Sequence, residues 1–189
     1  MLSAMIGLKR GIVELAEHNP EWKMIAAQTI EMLWGIFGAE AKDIQHIGST
    51  SVRHIKAKPI IDIAVAVEGF DIADKLMPKL NDVGFFKSKL HAVKDDILIC
   101  DDDEFTDTRS YHIHIVKTGS AQWSNYLNFR NYLNAHPYAA KDYERIKIIS
   151  AEKHHSDRNA YTNAKDKVLI RLLNEAQSWA GSGNTLSNS

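Results

Sequence analysis

An apolar, β-branched run from Pro59 to Val67 (PIIDIAVAV) constrains the fold of this chain more than any other feature. A continuous run of this kind is typical of a strand that is buried on both faces of a sheet. It carries a single carboxylate, Asp62, and burying a carboxylate is unfavourable unless it is hydrogen-bonded, paired with a charge or bound to a metal. The run therefore predicts a central strand that presents one acid to a partner.

Strand and helix signals around this run predict a mixed sheet flanked by helices. The segment Gly11 to Glu17 reads as a first strand, and Asn19-Pro20 then supplies an N-cap and a proline at the first helical position. Two further strands are expected at His91 to Cys100 and Ser110 to Val116, with the acidic run Asp101 to Glu104 as their hairpin loop. Apolar residues at steps of three and four mark the first helix: Trp22, Ala26, Ile30, Leu33 and Phe37.

The C-terminal third of the chain is predicted to be helical. The helical pattern extends from Gly119-Ser120 to Trp179, with a break at His136-Pro137 because proline disfavours a helical residue before it. The tail from Gly181 is small and polar, which is typical of a disordered segment. We expect one domain of the α/β (α+β) class over residues 1–180 and a disordered tail over residues 181–189.

Composition narrows the classes of function. The chain has 23 basic and 24 acidic side chains, and this balance argues against a general nucleic-acid binder, which normally has a basic excess. The single cysteine, Cys100, can form no intramolecular disulfide, which suits a reducing compartment. No stretch approaches the ~20 apolar residues that a membrane-spanning helix needs. We therefore expect a cytoplasmic protein without a membrane partner, and the sequence does not indicate its oligomeric state.

The turn Gly48-Ser49-Thr50-Ser51, after the short apolar strand Ile44 to Ile47, is the first candidate site. Glycine allows close backbone approach, and Ser49 with the N–H groups that follow it can face a phosphate. The alternative is that Gly-Ser is only a tight turn and that Asp62 caps a neighbouring loop. Spacing alone favours neither interpretation.

The second candidate site is His112-Ile113-His114. Residues two apart on a strand point to one face, so both imidazoles can meet one ligand or metal. An isolated pattern of this kind is more often two partly exposed histidines on a sheet face. The pairs Asp95-Asp96 and His154-His155 show no spacing that indicates a site.

Several cationic side chains are candidate phosphate partners. Each such charge is more often a solvated surface group than a ligand contact. The candidates are Lys58, Arg109, Arg130 and Lys165.

The motifs His46 to Val52 (HIGSTSV) and Ala57 to Ile63 (AKPIIDI) resemble the signature of the GrpB (glutamate-rich protein B) family. The strand from His112 to Val116 is similar to the family's His-Leu-His-Val strand, and Leu127 to Pro137 resembles the helices that follow it. The likeness extends over roughly residues 11 to 175, including the late Tyr-x-x-x-Lys that ends at Lys165.

This family is placed in the nucleotidyltransferase superfamily, so the resemblance implies a nucleotidyltransferase-like mixed sheet. It implies that Gly48 and Ser49, with the rest of their turn, hold the phosphates of a nucleotide and that Asp62 holds Mg²⁺. His112 and His114 lie on the strand where the superfamily often has its third acid.

Two positions depart from the family pattern. Ala64 stands where many relatives carry a second carboxylate, so a site for two catalytic metal ions would lack one of its ligands. Arg53-His54 replaces the usual Pro-Gly, and this change predicts a more cationic and less tightly turned loop. Both departures suit a binding protein, or an enzyme that holds one metal between Asp62, His112 and His114.

Three functions remain open from the sequence. The first is a nucleotidyltransferase-like enzyme that moves a nucleotidyl group from a nucleoside triphosphate to a small acceptor, with Asp62 and Ser49 as catalytic residues. The second is a non-catalytic module that binds a nucleotide or a small phosphorylated metabolite. The third is a hydrolase with a transition metal on His112 and His114, since imidazole favours such metals.

Overall fold

The computed structural model describes residues 6–9, 11–88, 95–101, 107–153 and 158–183, without the side chains of residues 158–165. Parts of some predictions lie outside the described residues. They are residues 91–94 of the strand expected at His91 to Cys100, residues 102–104 of the acidic loop, the pair His154-His155, the side chain of Lys165, and the tail from residue 184.

The described residues form seven strands and five α-helices, and short 3₁₀ turns lie at Gly38–Glu40 and Ser49–Ser51. The strands are β1 (Leu8–Lys9), β2 (Ala41–Ile47), β3 (Ile61–Val67), β4 (Phe86–Lys87), β5 (Asp96–Cys100), β6 (Thr108–Arg109) and β7 (Tyr111–Lys117). The helices are α1 (Glu21–Phe37), α2 (Asp71–Asp82), α3 (Ala121–Ala135), α4 (Pro137–Lys153) and α5 (Arg158–Gly181).

The main sheet has five strands in the order β2-β3-β7-β5-β4, and β1 pairs separately with β6. Strands β3 and β7 are parallel, whereas the other pairs in the main sheet are antiparallel. The predicted mixed sheet is therefore confirmed. Asp62 lies near the start of β3, beside the central strand β7.

The two faces of the sheet have different roles. Ile61, Ile63, Val65 and Val67 of β3 pack with α1 and α2 in the larger hydrophobic core. Because side chains alternate along a strand, Asp62 and the residues two and four positions after it face the opposite side. That side lies against α3, which shares a second core with α4 and α5.

The first helix forms as its apolar periodicity predicts. Asn19 Oδ1 accepts a hydrogen bond from the Glu21 backbone N–H (2.9 Å), and Pro20 is already in the helical region (φ −57°). The helix buries Trp22 and Leu33 against the sheet.

The predicted first strand, Gly11 to Glu17, is wrong. Among the described residues, the β pairing of this segment is one isolated bridge between Ala16 and Ala57. Gly11 has a φ of 82° and begins the segment in a turn. The β-prone residues that follow it do not form a continuous series of hydrogen bonds with another described strand. β propensity without a partner strand does not make a strand.

The C-terminal third is helical, as predicted, and its break lies where the proline places it. Helix α3 ends at Ala135, His136 takes a non-helical conformation (φ −123°, ψ 84°), and α4 begins at Pro137. None of the helices among the described residues is long and apolar enough to cross a membrane.

Candidate functional site

The parallel pairing of β3 and β7 brings Asp62, His112 and His114 together. In the register of the two strands, Asp62 lies opposite His112 and Ala64 lies opposite His114. Asp62 Oδ1 lies 2.8 Å from His112 Nδ1 and 4.0 Å from His114 Nε2. One ligand atom from each of the three side chains lies within 4.8 Å of the others, so they can hold one metal ion.

Asp62 is held in its ionised form. Burial alone would raise the pKa of this carboxyl group, since its side chain is only 23% exposed. The hydrogen bond and charge of His112, with smaller contributions from His114 and Lys58, outweigh burial and lower the pKa below its ordinary value. The site therefore offers a carboxylate at neutral pH.

Asp96 and Tyr126 complete this cluster behind His114. Asp96 Oδ2 lies 2.9 Å from His114 Nδ1 and accepts a hydrogen bond from the Tyr126 hydroxyl (2.7 Å). Burial and the charge of Asp96 raise the pKa of Tyr126, so the phenol keeps its proton and donates it. The pair Asp95-Asp96 shows no spacing that indicates a site, yet the side chain of Asp96 is fully buried beside His114.

A sequence signal for Asp96 did exist. Asp96 begins the apolar run Ile97-Leu98-Ile99, as Asp62 interrupts its own buried strand. A buried acid needs a partner in both cases. The identity of that partner came only from the antiparallel pairing of β5 with β7, and Tyr126 had no comparable signal.

Gly48 seats the carboxylate of Asp62. Its φ of 70° is left-handed, and a Cβ atom built on it would lie 2.7 Å from both Cβ and Cγ of Asp62. Real Cβ atoms do not approach other heavy atoms so closely. The close approach predicted at Gly48 is therefore present, and the group that approaches is the side chain of Asp62.

The three hydroxyl groups of the turn have different partners. Ser49 Oγ lies 3.4 Å from the hydroxyl of Tyr143 on α4. Ser51 Oγ donates to the Gly48 carbonyl (2.6 Å), and the buried Thr50 Oγ1 donates to the Ile60 carbonyl (3.3 Å). Ser49 is thus the hydroxyl that points across the site, whereas the other two brace the turn.

The cationic residues that the sequence singled out lie in different places. Arg130 Nη1 donates to Gln45 Oε1 and to the His46 carbonyl (2.9 Å each), so it joins α3 to β2. Lys58 and Arg109 line one small pocket near β1, and the charge of Lys58 also acts on Asp62. The side chain of Lys165 lies outside the described residues.

The structure shows the surroundings of the two departures from the family pattern, Ala64 and Arg53-His54. Ala64 is fully buried and lies directly across from His114 in the sheet, so an imidazole stands beside the place of the second carboxylate. His54 has a left-handed φ of 63°. His54 therefore takes a conformation that glycine favours, at the position where the family usually has glycine.

The donor set decides which metal suits the site. Two imidazole nitrogens and one carboxylate are ligands that suit Zn²⁺, Mn²⁺ or Fe²⁺, whereas Mg²⁺ prefers oxygen ligands throughout. The second nitrogen of His114 faces a carboxylate, as is usual for a metal-binding histidine. The residues present fit a transition metal.

Comparisons with known proteins agree with these motifs. The glutamate-rich protein GrpB of Alkalihalophilus pseudofirmus is 35% identical over 177 residues, which cover 90% of this chain and 99% of that protein. The crystal structure of GrpB from Enterococcus faecalis has a TM-score of 0.79 and 28% identity, and covers 88% of this chain and 99% of that one.

A structure of the Cid1 poly(U) polymerase with MgGTP bound also matches 70% of this chain and 42% of that one. The TM-score of this match is 0.46 and its sequence identity is 16%. A family model described as GrpB protein matches residues 12–175. Because this match spans most of the sequence, the chain belongs to the GrpB family.

Proposed function

We propose that this chain is a metal-dependent enzyme of the nucleotidyltransferase type, acting on a nucleotide or a small phosphorylated metabolite. The observation that carries the proposal is the convergence of Asp62, His112 and His114 within 4.8 Å, against the turn at Gly48. The resemblance of this turn to a phosphate-holding Gly-Ser motif supports the choice of substrate.

Asp62, His112 and His114 would hold the metal through Oδ1, a ring nitrogen and Nε2, respectively. A divalent ion there would polarise a phosphoryl oxygen and neutralise charge that develops on it. Asp62 contributes because its low pKa keeps it ionised. Mg²⁺ remains the alternative cofactor, with oxygen ligands supplied by Asp62, water and the substrate phosphate.

The residues around the metal ligands would orient the substrate. The hydroxyl of Ser49 would donate to a phosphate oxygen, since it points across the site toward Tyr143. Lys58 would neutralise phosphate charge, because its field already reaches Asp62. Arg109 lines the same small pocket as Lys58 and would act with it.

A metal-dependent hydrolase is the second candidate. It is supported by the two histidine ligands, His112 and His114. Two imidazoles suit a transition metal that activates water, so that water replaces a hydroxyl group as the acceptor. The two candidates share the metal ligands and differ in the acceptor. A protein that binds nucleotide without turnover would be the non-catalytic module instead.

Calorimetric titration with Mn²⁺, Zn²⁺ and Mg²⁺, each with and without a nucleoside triphosphate, tests the metal site. We expect one ion of Mn²⁺ or Zn²⁺ per chain, and loss of binding in Asp62→Asn and in the double variant His112→Ala, His114→Ala. Asp74→Asn is the matched control, because its exposed carboxylate only accepts a hydrogen bond from Lys87. Equal metal binding in all four proteins would place the metal elsewhere and overturn the proposal.

Product analysis separates the candidate reactions. The metal-loaded protein is incubated with each nucleoside triphosphate, with and without a panel of small hydroxyl acceptors. Pyrophosphate release that requires an acceptor and disappears in Asp62→Asn supports nucleotidyl transfer. Release of phosphate or pyrophosphate without an acceptor supports the hydrolase. Binding without release supports the non-catalytic module and contradicts an enzyme.

A further inference from the structure

We propose that Asp96 and Tyr126 are positioning residues, which hold His114 in the tautomer and orientation that make its Nε2 a metal ligand. The inference rests on the metal site of the proposed function and extends it to two residues that were not predicted as site residues from the sequence. It also predicts which metals the site prefers.

Asp96 sets the position of the proton on the His114 imidazole. Asp96 Oδ2 lies 2.9 Å from His114 Nδ1, and the side chain of Asp96 has no exposed surface. A buried carboxylate accepts hydrogen bonds, so the contact places the imidazole proton on Nδ1. The other nitrogen, Nε2, then carries the lone pair that a metal requires.

The Nε2 atom of His114 is directed toward the carboxylate of Asp62. Nε2 of His114 lies 4.0 Å from Asp62 Oδ1, which is too long for a hydrogen bond. Two ligands about 2.1 Å from one tetrahedral ion lie about 3.4 Å apart. A small side-chain shift therefore brings both atoms onto one ion.

Tyr126, on helix α3, restrains the imidazole of His114 from the helical side of the sheet. Its hydroxyl donates to Asp96 Oδ2 (2.7 Å), and its ring centroid lies 5.1 Å from that of His114. The phenol thus satisfies the buried carboxylate and packs against the imidazole. Because Asp96 is on β5 and Tyr126 on α3, the sheet and a helix both fix the ring of His114.

The two histidines are therefore not equivalent. His112 directs its Nδ1 at Asp62, a metal ligand itself, whereas His114 directs its Nδ1 away from the metal, at Asp96. A carboxylate behind an imidazole makes the ligand nitrogen more basic. Imidazole nitrogen strengthens binding of Mn²⁺, Co²⁺ and Zn²⁺ but contributes little to Mg²⁺. Asp96 and Tyr126 should accordingly favour transition metals over Mg²⁺.

The test compares Asp96→Asn and Tyr126→Phe with wild type. Zn²⁺ and Co²⁺ affinities are measured by competition with a chelator, Mg²⁺ affinity by calorimetry, and the geometry of the site by the visible absorption of bound Co²⁺. We expect Asp96→Asn to weaken Zn²⁺ and Co²⁺ binding by about 10- to 100-fold, and Tyr126→Phe by a smaller factor. Both variants should change the Co²⁺ spectrum and leave Mg²⁺ binding unaltered.

Tyr132→Phe is the matched control. Tyr132 is also on α3, and its hydroxyl donates to Glu175 Oε2 (3.0 Å), which does not belong to the site. This variant loses a tyrosine-to-carboxylate hydrogen bond and should keep the wild-type affinities and spectrum. Circular dichroism and thermal unfolding establish that each variant is folded. If Asp96→Asn does not fold, Tyr126→Phe decides, because it removes a single oxygen atom.

Two outcomes separate this inference from the proposed function. Wild-type metal affinity and an unchanged Co²⁺ spectrum in the folded variants would overturn the positioning role while the metal site stands. A wild-type protein that binds none of these metals would overturn the proposed function and this inference with it.

Discussion

At the scale of single residues, the site depends on a contact between a backbone and a side chain. Gly48 directly follows β2 and has a left-handed φ of 70°, and the carboxylate of Asp62 occupies the space that a Cβ atom would need. A substitution at Gly48 therefore has two consequences. It strains the backbone, and it displaces the acid that the metal site requires.

We expect Gly48→Ala to lower the free energy of unfolding by about 2–5 kcal/mol, the sum of the left-handed backbone penalty and a steric overlap in a packed site. Metal affinity should fall as well, because Asp62 must move. Urea unfolding followed by fluorescence measures the first effect, and metal titration of the folded fraction measures the second.

Gly119→Ala is the control for this prediction. Gly119 has almost the same φ, 69°, but a Cβ atom there would meet nothing within 4 Å. It should lose only the backbone contribution, about 1–2 kcal/mol, and keep full metal affinity. Equal losses of stability in the two variants would show that the contact with Asp62 is unimportant.

At the scale of elements, Arg130 joins helix α3 to the edge strand β2. Its guanidinium donates to Gln45 Oε1 and to the His46 carbonyl, and burial lowers its pKa without removing its charge. The two hydrogen bonds hold the helix that carries Tyr126 against the face of the sheet that carries Asp62.

We expect Arg130→Lys to lower the free energy of unfolding by about 1–3 kcal/mol. The lysine side chain is shorter, so its ammonium group reaches the two acceptors on β2 poorly, and it lacks the Nε–H that donates to Asn131 Oδ1 (3.0 Å). Urea unfolding is the measurement. Arg145→Lys is the control, since Arg145 is 75% exposed and faces Asp142 at 3.3 Å. It should change stability by less than about 0.5 kcal/mol.

The same variant distinguishes two interpretations of Arg130. If it binds phosphate, as the sequence alone allowed, Arg130→Lys should weaken nucleotide binding and leave unfolding unchanged. That result would contradict its role in joining α3 to β2.

At the scale of the whole molecule, burial of histidine makes folding sensitive to pH. Burial is the largest influence on His46 and lowers its pKa from 6.5 to about 4, and His18 shifts in the same direction for the same reason. Between these values the unfolded chain binds more protons than the folded chain. Acidification therefore favours unfolding in this window.

We expect the free energy of unfolding, measured in urea with a chelator present, to fall as the pH is lowered from 6.5 to 4. The one extra proton that His46 binds in the unfolded chain lowers the free energy of unfolding by at most about 1.4 kcal/mol per pH unit. Asp62 affects stability at lower pH. Its pKa in the folded chain lies below the ordinary value of 3.8, so the stability that its carboxylate contributes is lost only below pH 3.8.

His46→Gln should flatten this pH dependence. Comparison of the two proteins at pH 8, where the imidazole is neutral in both states, isolates the packing lost in the substitution. Parallel stability curves for His46→Gln and wild type between pH 6.5 and 4 would assign the acid sensitivity to other groups.

Local patterns in the sequence determined the elements of this protein. The apolar run around Asp62 became β3, the three- and four-residue steps became α1, and His136-Pro137 became the break between α3 and α4. Each of these patterns involves residues that are only a few positions apart in the sequence. Such residues are close to one another in any conformation of the chain. The motif HIGSTSV likewise indicated the family before any contact was known.

Only the tertiary structure decided what Asp62 and Asp96 contact. Asp62 meets His112 across 50 residues of sequence and Asp96 meets His114 across 18, through a parallel and an antiparallel register. A shift of either register by one residue would turn these side chains to opposite faces of the sheet. Packing of the whole sheet sets the register. The histidines could therefore be predicted as site residues from the sequence, whereas their contacts with Asp96 and Tyr126 could not.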